Sequence, residues 1–156
     1  MRLVLLLLLV LGLSVPAMAC PNVGLKQAPV TFVTSAGKHH YMVDLAETSE
    51  QQSCGLMFRE KMPRDQGMIF PFSPPRPTAF WMMNTPLPLD LVFVGPDARV
   101  VSIGAGKPYS RALIESGGIT AAVIELNAGE AARIGLKPGD RVISDIVRRG
   151  GLKPGA

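Results

Sequence analysis

Three polar side chains stand inside strongly apolar stretches near the middle of the 156-residue chain. Arg59 follows Leu-Met-Phe, Asn84 follows Phe-Trp-Met-Met, and Asp90 stands between two leucines. A buried polar group costs free energy unless it finds a hydrogen-bonding partner. We therefore expect these three groups either to satisfy one another inside the fold or to line a pocket.

Each of these residues has a structural and a functional interpretation. Arg59 presents a planar fork that suits carboxylates, so it is either the ion-pair partner of Asp90 or Glu60 or the anchor of an anionic or hydroxyl-rich ligand. Asp90 is either a structural partner or an acid–base catalyst, and the structural role is favoured because no second acid accompanies it at motif spacing. Trp81, the only tryptophan, together with Asn84 is typical of a sugar or flat-ligand site and equally typical of barrel packing.

The functional interpretation of these residues is a single polar pocket with loops 71–77 and 104–118 at its rim. The leading hypothesis is a small exported binding or accessory protein of unknown ligand. The alternative is a small hydrolase or lyase that uses Asp90 as acid or base and Arg59 as anion clamp. The predicted ligand-binding residues are Arg59, Trp81, Asn84 and Asp90.

A third hypothesis is a periplasmic Cu(I)-binding protein, because thioethers are good ligands for Cu(I). Met82 and Met83 are adjacent, so in a strand they face opposite sides and cannot both bind one ion. His39 and His40 meet the same objection. Methionine as filler of core gaps is therefore favoured, and no metal site or cofactor is predicted. The methionines considered are Met42, Met57, Met62, Met68, Met82 and Met83.

Short motifs with an established catalytic mechanism do not occur in this sequence. It has no nucleophile elbow, phosphate-binding loop, Cys-x-x-Cys pair or His-Glu-x-x-His motif. Their absence weakens an enzyme assignment without excluding one, and the catalytic residues remain unknown.

The apolar motifs around these polar residues, taken in order, resemble the domain-of-unknown-function family 192. The resemblance covers about residues 28–148 and implies a small, compact, mostly-β domain. It implies no agreed activity, ligand or reaction. The motifs that carry it are Gly55–Glu60, Gly67–Phe70, Phe80–Thr85, Leu89–Val94 and Val123–Gly129.

The N-terminus has the pattern of a cleaved secretory signal peptide over residues 1–19. Arg2 supplies a minimal positive charge, Leu3 to Leu13 is almost wholly apolar, and Ala17-Met18-Ala19 is a small-residue cleavage site. The apolar stretch is short for a bilayer span, which needs about 20 residues. We therefore expect a periplasmic or secreted protein.

Cys20 directly follows this cleavage site, which leaves two fates for its sulfur. Bacterial lipoproteins carry a lipidated cysteine at the first mature position, but Ala17 and Met18 match the usual preceding residues poorly. A soluble exported protein is therefore favoured over a lipid-anchored one. Cys20 and Cys54 are able to pair in an oxidising compartment, although nothing in the sequence supports pairing over a buried, free Cys54.

The distribution of charge along the chain indicates which classes of binding partner to expect. The formal net charge is only +4, and the basic residues are scattered, apart from a small cluster near the C-terminus. This is not the footprint of a nucleic-acid-binding surface. The expected partners are a small-molecule ligand or a periplasmic protein, with membrane attachment only if Cys20 is lipidated.

The pattern of strands and turns predicts a mostly-β (α+β) protein, a compact β-sandwich or barrel-like domain with about seven strands and two short helices. The expected segments are an arm at 20–28, a single globular domain at 29–148 and a flexible tail at 149–156. The predicted strands are 30–34, 40–46, 78–83, 87–94, 99–103, 121–126 and 141–147.

Two helices are predicted from their capping residues. The first begins at Thr48, where Thr48-x-x-Gln51 has the form of a capping box, and Gly55 suits its end. The second covers 128–134, with Asn127 as N-cap. The four prolines within 71–77 predict an extended loop of polyproline character, and the Gly-, Pro- and Ser-rich stretch 104–118 predicts an irregular loop.

Overall fold

The computed structural model describes residue 20 and residues 22–151. The predicted signal peptide, residues 1–19, lies outside this part of the chain, as do residues 152–156. Within the described residues, no helix is both long and apolar enough to cross a membrane. The elements in chain order are β1 (Gln27–Thr34), β2 (Gly37–Leu45), α1 (Ser49–Cys54), β3 (Gln66–Phe80), β4 (Leu89–Val94), β5 (Val100–Gly106), β6 (Ile114–Asn127), α2 (Glu130–Arg133), β7 (Arg141–Ile143) and α3 (Asp145–Gly151).

The seven strands form one sheet in the order β5-β4-β6-β3-β2-β1-β7. All neighbouring strands are antiparallel except β2 and β3, which are parallel and are connected through α1. The two ends of the sheet approach each other, since Arg99 and Arg141 form an isolated bridge and the Val100 amide donates to the Asp140 carbonyl at 2.9 Å. The sheet is thus curled into a half-barrel.

The curled sheet has an apolar cluster on each face, because side chains alternate along every strand. The first, which we call the inner cluster, contains Val92 and Ile124 and takes in α2 and α3 through Ala131 and Val147. The outer cluster contains the opposite residues of the same strands and is closed by Leu56. Its buried members are Ala46, Leu56, Met62, Met68, Phe70, Phe72, Met82, Leu89, Leu91, Phe93 and Val123.

The predicted mostly-β, barrel-like class is confirmed, and local features of the first helix follow the sequence closely. The Gln51 amide donates to Thr48 Oγ1 at 3.2 Å, and the Thr48 amide donates to Gln51 Oε1 at 3.0 Å. Gly55 ends the helix with φ of 50°. Seven strands are found, together with a third helix, α3, where the sequence predicted the second half of the last strand.

The proline-rich stretch 71–77 was predicted as a loop, and this prediction is wrong. It lies within β3, which runs through all four prolines. Beyond Ile69, β3 has lost β2 as a neighbour and pairs only with β6, with register shifts between Pro71 and Arg76. Proline is tolerated at such an edge because the amide it lacks has no strand to bond.

The second predicted helix and the second predicted loop are shorter than expected. Asn127 does not cap α2; its side chain donates to the Met62 carbonyl at 3.0 Å, and the N-cap is Gly129. Of the expected loop 104–118, only residues 107–113 lie between strands, because β5 and β6 extend into both ends of it. At the chain ends, β1 begins inside the predicted arm 20–28, and α3 covers residues 149–151 of the predicted tail.

Candidate functional site: a cavity beside the first helix

The family motifs meet around a cavity of about 240 Å³ on the outer face of the sheet. Solvent reaches it, because its lining includes exposed side chains such as Ser53 and Trp81. Its walls are mainly apolar and aromatic. The lining residues are Gln52, Ser53, Cys54, Gly55, Leu56, Met57, Phe70, Ala79, Phe80, Trp81, Thr85 and Glu125.

Glu125 is the polar group of the cavity that the fold leaves unsatisfied. It lies on β6, with Met68 of β3 and Leu91 of β4 as its cross-strand neighbours. These neighbours belong to the outer cluster, so the carboxyl group is surrounded by apolar side chains. Glu125 is only 4 % exposed, and its Oε2 has no hydrogen-bond partner among the described residues.

A second buried acid shows how unusual this situation is. Glu130 is also 4 % exposed, yet its carboxylate accepts hydrogen bonds from Arg64 Nε at 3.0 Å, Tyr41 Oη at 3.0 Å and Arg133. Hydrogen bonding to Arg133 is the main reason that the pKa of Glu130 lies below its usual value. Glu130 therefore belongs to a structural ion cluster in which its carboxylate is satisfied. Glu125 has no such cluster around it among the described residues.

Burial raises the pKa of Glu125 from 4.5 to about 8. Desolvation is the cause, because removing a carboxylate from water penalises its charged form. The carboxyl group is therefore mostly neutral at pH 7 and carries a proton that it can donate. Perturbed acids in clefts are typical of functional sites, although structural clusters also produce them.

Charged groups elsewhere on this face do not compensate Glu125. The cross-strand row continues from Glu125 through Met68 to Asp44 of β2, and Asp44 is neutralised by its own partner, Arg59. The only acid in the first turn of α1, Glu50, is exposed. In the part of the chain that the structure describes, no Lys, Arg or His lines the cavity.

A disulfide bond joins Cys20 to Cys54, which lines the cavity. It ties the segment before β1 to the end of α1, where Asn22 Nδ2 also donates to the Gln51 carbonyl at 3.0 Å and to the Gly55 carbonyl at 2.5 Å. The expected arm is thus fastened to the rim. A sulfur in a disulfide cannot also carry a lipid.

Of the predicted ligand-binding residues, Trp81 lines the cavity and Asn84 stands beside it. The Trp81 side chain is 46 % exposed, which leaves its ring free to contact a ligand. The Asn84 carbonyl accepts from the Phe58 amide at 2.8 Å and so joins two of the family motifs. Both residues of this bond have positive φ, 58° and 62°, a conformation that asparagine tolerates and that strains phenylalanine.

Arg59 lies on the same face but does not line the cavity. Its guanidinium pairs with Asp44 at 2.8 Å and donates to the Asn22 carbonyl at 3.4 Å. Neither of the partners expected from the sequence, Asp90 or Glu60, is its partner. The pair is half-buried, so its geometry indicates a structural brace between β2 and the turn after α1.

Asp90 lies on the opposite face of the sheet. It is the cross-strand neighbour of Leu126, which belongs to the inner cluster. Its Oδ2 accepts from the Ala131 amide at 2.8 Å, so it satisfies a free amide at the start of α2. The structure therefore does not bring Asp90 together with Arg59, Trp81 and Asn84 in one pocket floor.

The methionines considered for Cu(I) lie mainly in packed positions. Met62, Met68 and Met82 are buried in the outer cluster, and Met42 is exposed on the opposite side of β2 from Tyr41 and Val43. Over residue 20 and residues 22–151, no group of three His, Cys, Asp or Glu side chains is arranged to hold a metal ion.

Sequence reasoning singled out Asp90 and passed over Glu125, although both carboxylates stand inside apolar strands. Glu125 lies within Val-Ile-Glu-Leu, a family motif, and the same cost of burying a polar group applies to it. The alternation of side chains along a strand could not show which of the two acids is buried without a partner, because it does not tell what covers each face of the strand.

Comparisons with known proteins agree with the resemblance in the sequence. A family model described as "Uncharacterized ACR, COG1430", domain-of-unknown-function family 192, matches residues 31–144. No curated protein matches the chain.

Two solved structures are similar to this chain. One is a protein of unknown function from Novosphingobium aromaticivorans DSM 12444, with 46% identity, a TM-score of 0.76, and coverage of 79% of this chain and 89% of that one. The other, from Sinorhizobium meliloti 1021, carries the provisional description of a transcription regulator, with 39% identity, a TM-score of 0.75, and coverage of 83% and 98%.

Proposed function

The chain belongs to domain-of-unknown-function family 192, and we propose that it is a small binding protein whose ligand occupies the cavity over Glu125. The observation that carries this function is the buried carboxyl group of Glu125, a residue only 4 % exposed, whose Oε2 has no partner among the described residues and which lies on a cavity lined by family motifs. A mostly apolar cavity with a few convergent polar groups is the usual form of a small-molecule site.

The fold supports this role because the walls of the cavity are held by independent restraints. The disulfide fixes Cys54, the bond between Phe58 and Asn84 fixes the turn after α1, and Glu125 sits on a central strand. Such pre-organisation lowers the entropic cost of ordering the site when a ligand binds.

A fragment screen observed through Trp81 tests the binding function directly. Trp81 is the only tryptophan of the chain and lines the cavity, so bound fragments should change its fluorescence and its indole NMR signal. Ser53→Phe places a ring at the cavity wall and should abolish these changes. Ser49→Phe, on the same helix but outside the lining, should not. Fragments that bind equally well to both variants, or no fragment at all, would refute the proposal.

Acid–base catalysis is the second candidate, and Glu125 rather than Asp90 is its best-supported residue. The specific observation is that burial raises the pKa of Glu125 to about 8, close to the pH at which a general acid or base is most effective. A hydrolytic activity that survives Glu125→Gln unchanged would eliminate this role.

Export from the cytoplasm is part of the proposed function. It is supported by the disulfide, since such bonds persist in oxidising compartments, and by the signal-peptide pattern of residues 1–19. Mass spectrometry of the protein expressed with its own N-terminus tests both points. We expect a mature chain that begins at Cys20 and is two hydrogens lighter than its reduced form. A mass increased by acyl chains would instead establish the lipid anchor.

A further inference from the structure

We infer that the cavity over Glu125 selects ligands with an ammonium group, which pairs with the Glu125 carboxylate. This inference rests on the proposed binding function and names its ligand class. The main observation concerns the ionisable groups: among the described residues, Glu125 is the only one in the lining that can ionise, and its Oε2 is unpartnered. A buried carboxylate is stabilised chiefly by a cation, and the fold supplies none at this position.

The walls of the cavity also suit a cation. The rings of Phe70, Phe80 and Trp81 contribute to the lining, and aromatic faces attract ammonium groups, tryptophan most strongly. The last residues of α1, including Cys54, form another wall.

The size of the cavity sets the scale of the ligand. An enclosed apolar cavity of about 150 Å³ holds benzene in another protein, and this cavity measures about 240 Å³. A single ring that bears an aminomethyl or trimethylammonium-methyl group therefore fits. The ammonium would lie at Glu125 and the ring against Trp81.

Proton linkage gives this inference a second observable. Glu125 must lose its proton to pair with a cation, so binding of a permanent cation should strengthen as pH rises. Below pH 8 the affinity should rise about tenfold per pH unit, and above it the affinity should level off. A neutral ligand that accepts the proton of Glu125 in a hydrogen bond should show the opposite trend. Among the described residues, no other titratable group lines the cavity. On the same face, Asp44 is already paired with Arg59.

The test uses four probes that share a benzyl or phenyl ring and differ in charge: benzylamine, benzyltrimethylammonium, benzyl alcohol and benzoate. Binding to the disulfide-intact protein is measured by calorimetry and Trp81 fluorescence between pH 6 and pH 9. At pH 9, where Glu125 is mostly deprotonated, we expect the two cations to bind and the other two to bind at least tenfold more weakly. At the same pH, Glu125→Gln should weaken cation binding about tenfold or more. Glu115→Gln, an exposed site on the same strand, should leave it unchanged.

The possible outcomes separate the inference from the function beneath it. If benzyl alcohol or benzoate binds the cavity as tightly as the cations, and Ser53→Phe abolishes that binding, the binding function stands and the ammonium preference is wrong. If none of the probes perturbs Trp81 in the wild type, the ammonium inference is overturned, and a fragment screen without hits would overturn the binding function as well. Cation binding that is insensitive to Glu125→Gln also overturns the inference.

Discussion

Replacing Glu125 by glutamine should remove a large pH dependence from the stability of this protein. The pKa of Glu125 is raised from 4.5 to about 8 in the folded chain. Between these two pH values the unfolded carboxyl group has lost its proton and the folded one retains it, so the unfolded state becomes steadily more favourable as pH rises. Below pH 4.5 and above about pH 8 the contribution is constant.

The magnitude follows from the size of the pKa difference. Each pKa unit corresponds to about 1.4 kcal/mol, so the shift from 4.5 to about 8 destabilises the fold by about 5 kcal/mol at alkaline pH relative to acidic pH. This is a large share of a typical domain stability of roughly 5–15 kcal/mol. Glutamine has no proton to lose, so Glu125→Gln should lack this dependence while keeping nearly the same shape.

Urea unfolding of both proteins at pH 5 and pH 8.5, with the disulfide intact and Trp81 fluorescence as readout, measures the effect. The interval from pH 5 to pH 8.5 contains about 4 of these 5 kcal/mol, because Glu125 titrates partly outside it. With a urea m-value of about 2 kcal/mol/M, the midpoint of the wild type relative to Glu125→Gln should therefore fall by about 2 M between these pH values. Taking the difference cancels the other titrating groups. Glu115→Gln, the same change at an exposed site of β6, should follow the wild type. If the difference in unfolding free energy between the wild type and Glu125→Gln changes by less than about 1 kcal/mol from pH 5 to pH 8.5, the assignment of Glu125 as a buried neutral acid would be falsified.

Three further perturbations test the framework around the cavity. Arg59→Met and Asp44→Asn, combined in a double-mutant cycle by urea unfolding, should give a coupling energy of about 1–3 kcal/mol for this half-buried charged hydrogen bond; zero coupling would contradict a bracing role. Cys54→Ser removes a disulfide that spans 34 residues in sequence and should lower the free energy of unfolding by about 4 kcal/mol through loop-closure entropy. Cys20→Ser should lower it by the same amount, and the wild type reduced with dithiothreitol provides the comparison. Asp90→Ala should lower the free energy of unfolding by about 1 kcal/mol through loss of the cap on α2, Asp90→Asn by less, and neither should alter fragment binding in the cavity across the sheet.

Local features of this fold were predictable because a few neighbouring residues determine them. The capping box of α1 needs only Thr48 and Gln51, and the stop at Gly55 needs only a residue that accepts positive φ. The hairpin of β4 and β5 follows from the turn Gly95–Ala98 between two apolar strands. Each of these depends on contacts within a few residues along the chain.

The errors arose where a distant strand decides the local structure. Proline disfavours sheets, but the stretch 71–77 is a strand because β2 has ended and only β6 lies beside it. Asn127 is a good N-cap by type, yet its side chain bonds the Met62 carbonyl, which is 65 residues away in sequence. No local pattern contains that information.

By itself, the sequence determined the mostly-β class, the family and the set of motifs that surround the cavity, since these depend on residue types and their order. The tertiary structure decided which acid matters. Asp90 and Glu125 both interrupt apolar strands that pair with each other, but they point to opposite faces of the sheet. On one face the Ala131 amide satisfies Asp90; on the other, α1 and the motif loops bury Glu125 without giving its Oε2 a partner. Alternation along a strand assigns a residue to one of two faces, and only the packed fold determines what covers each face.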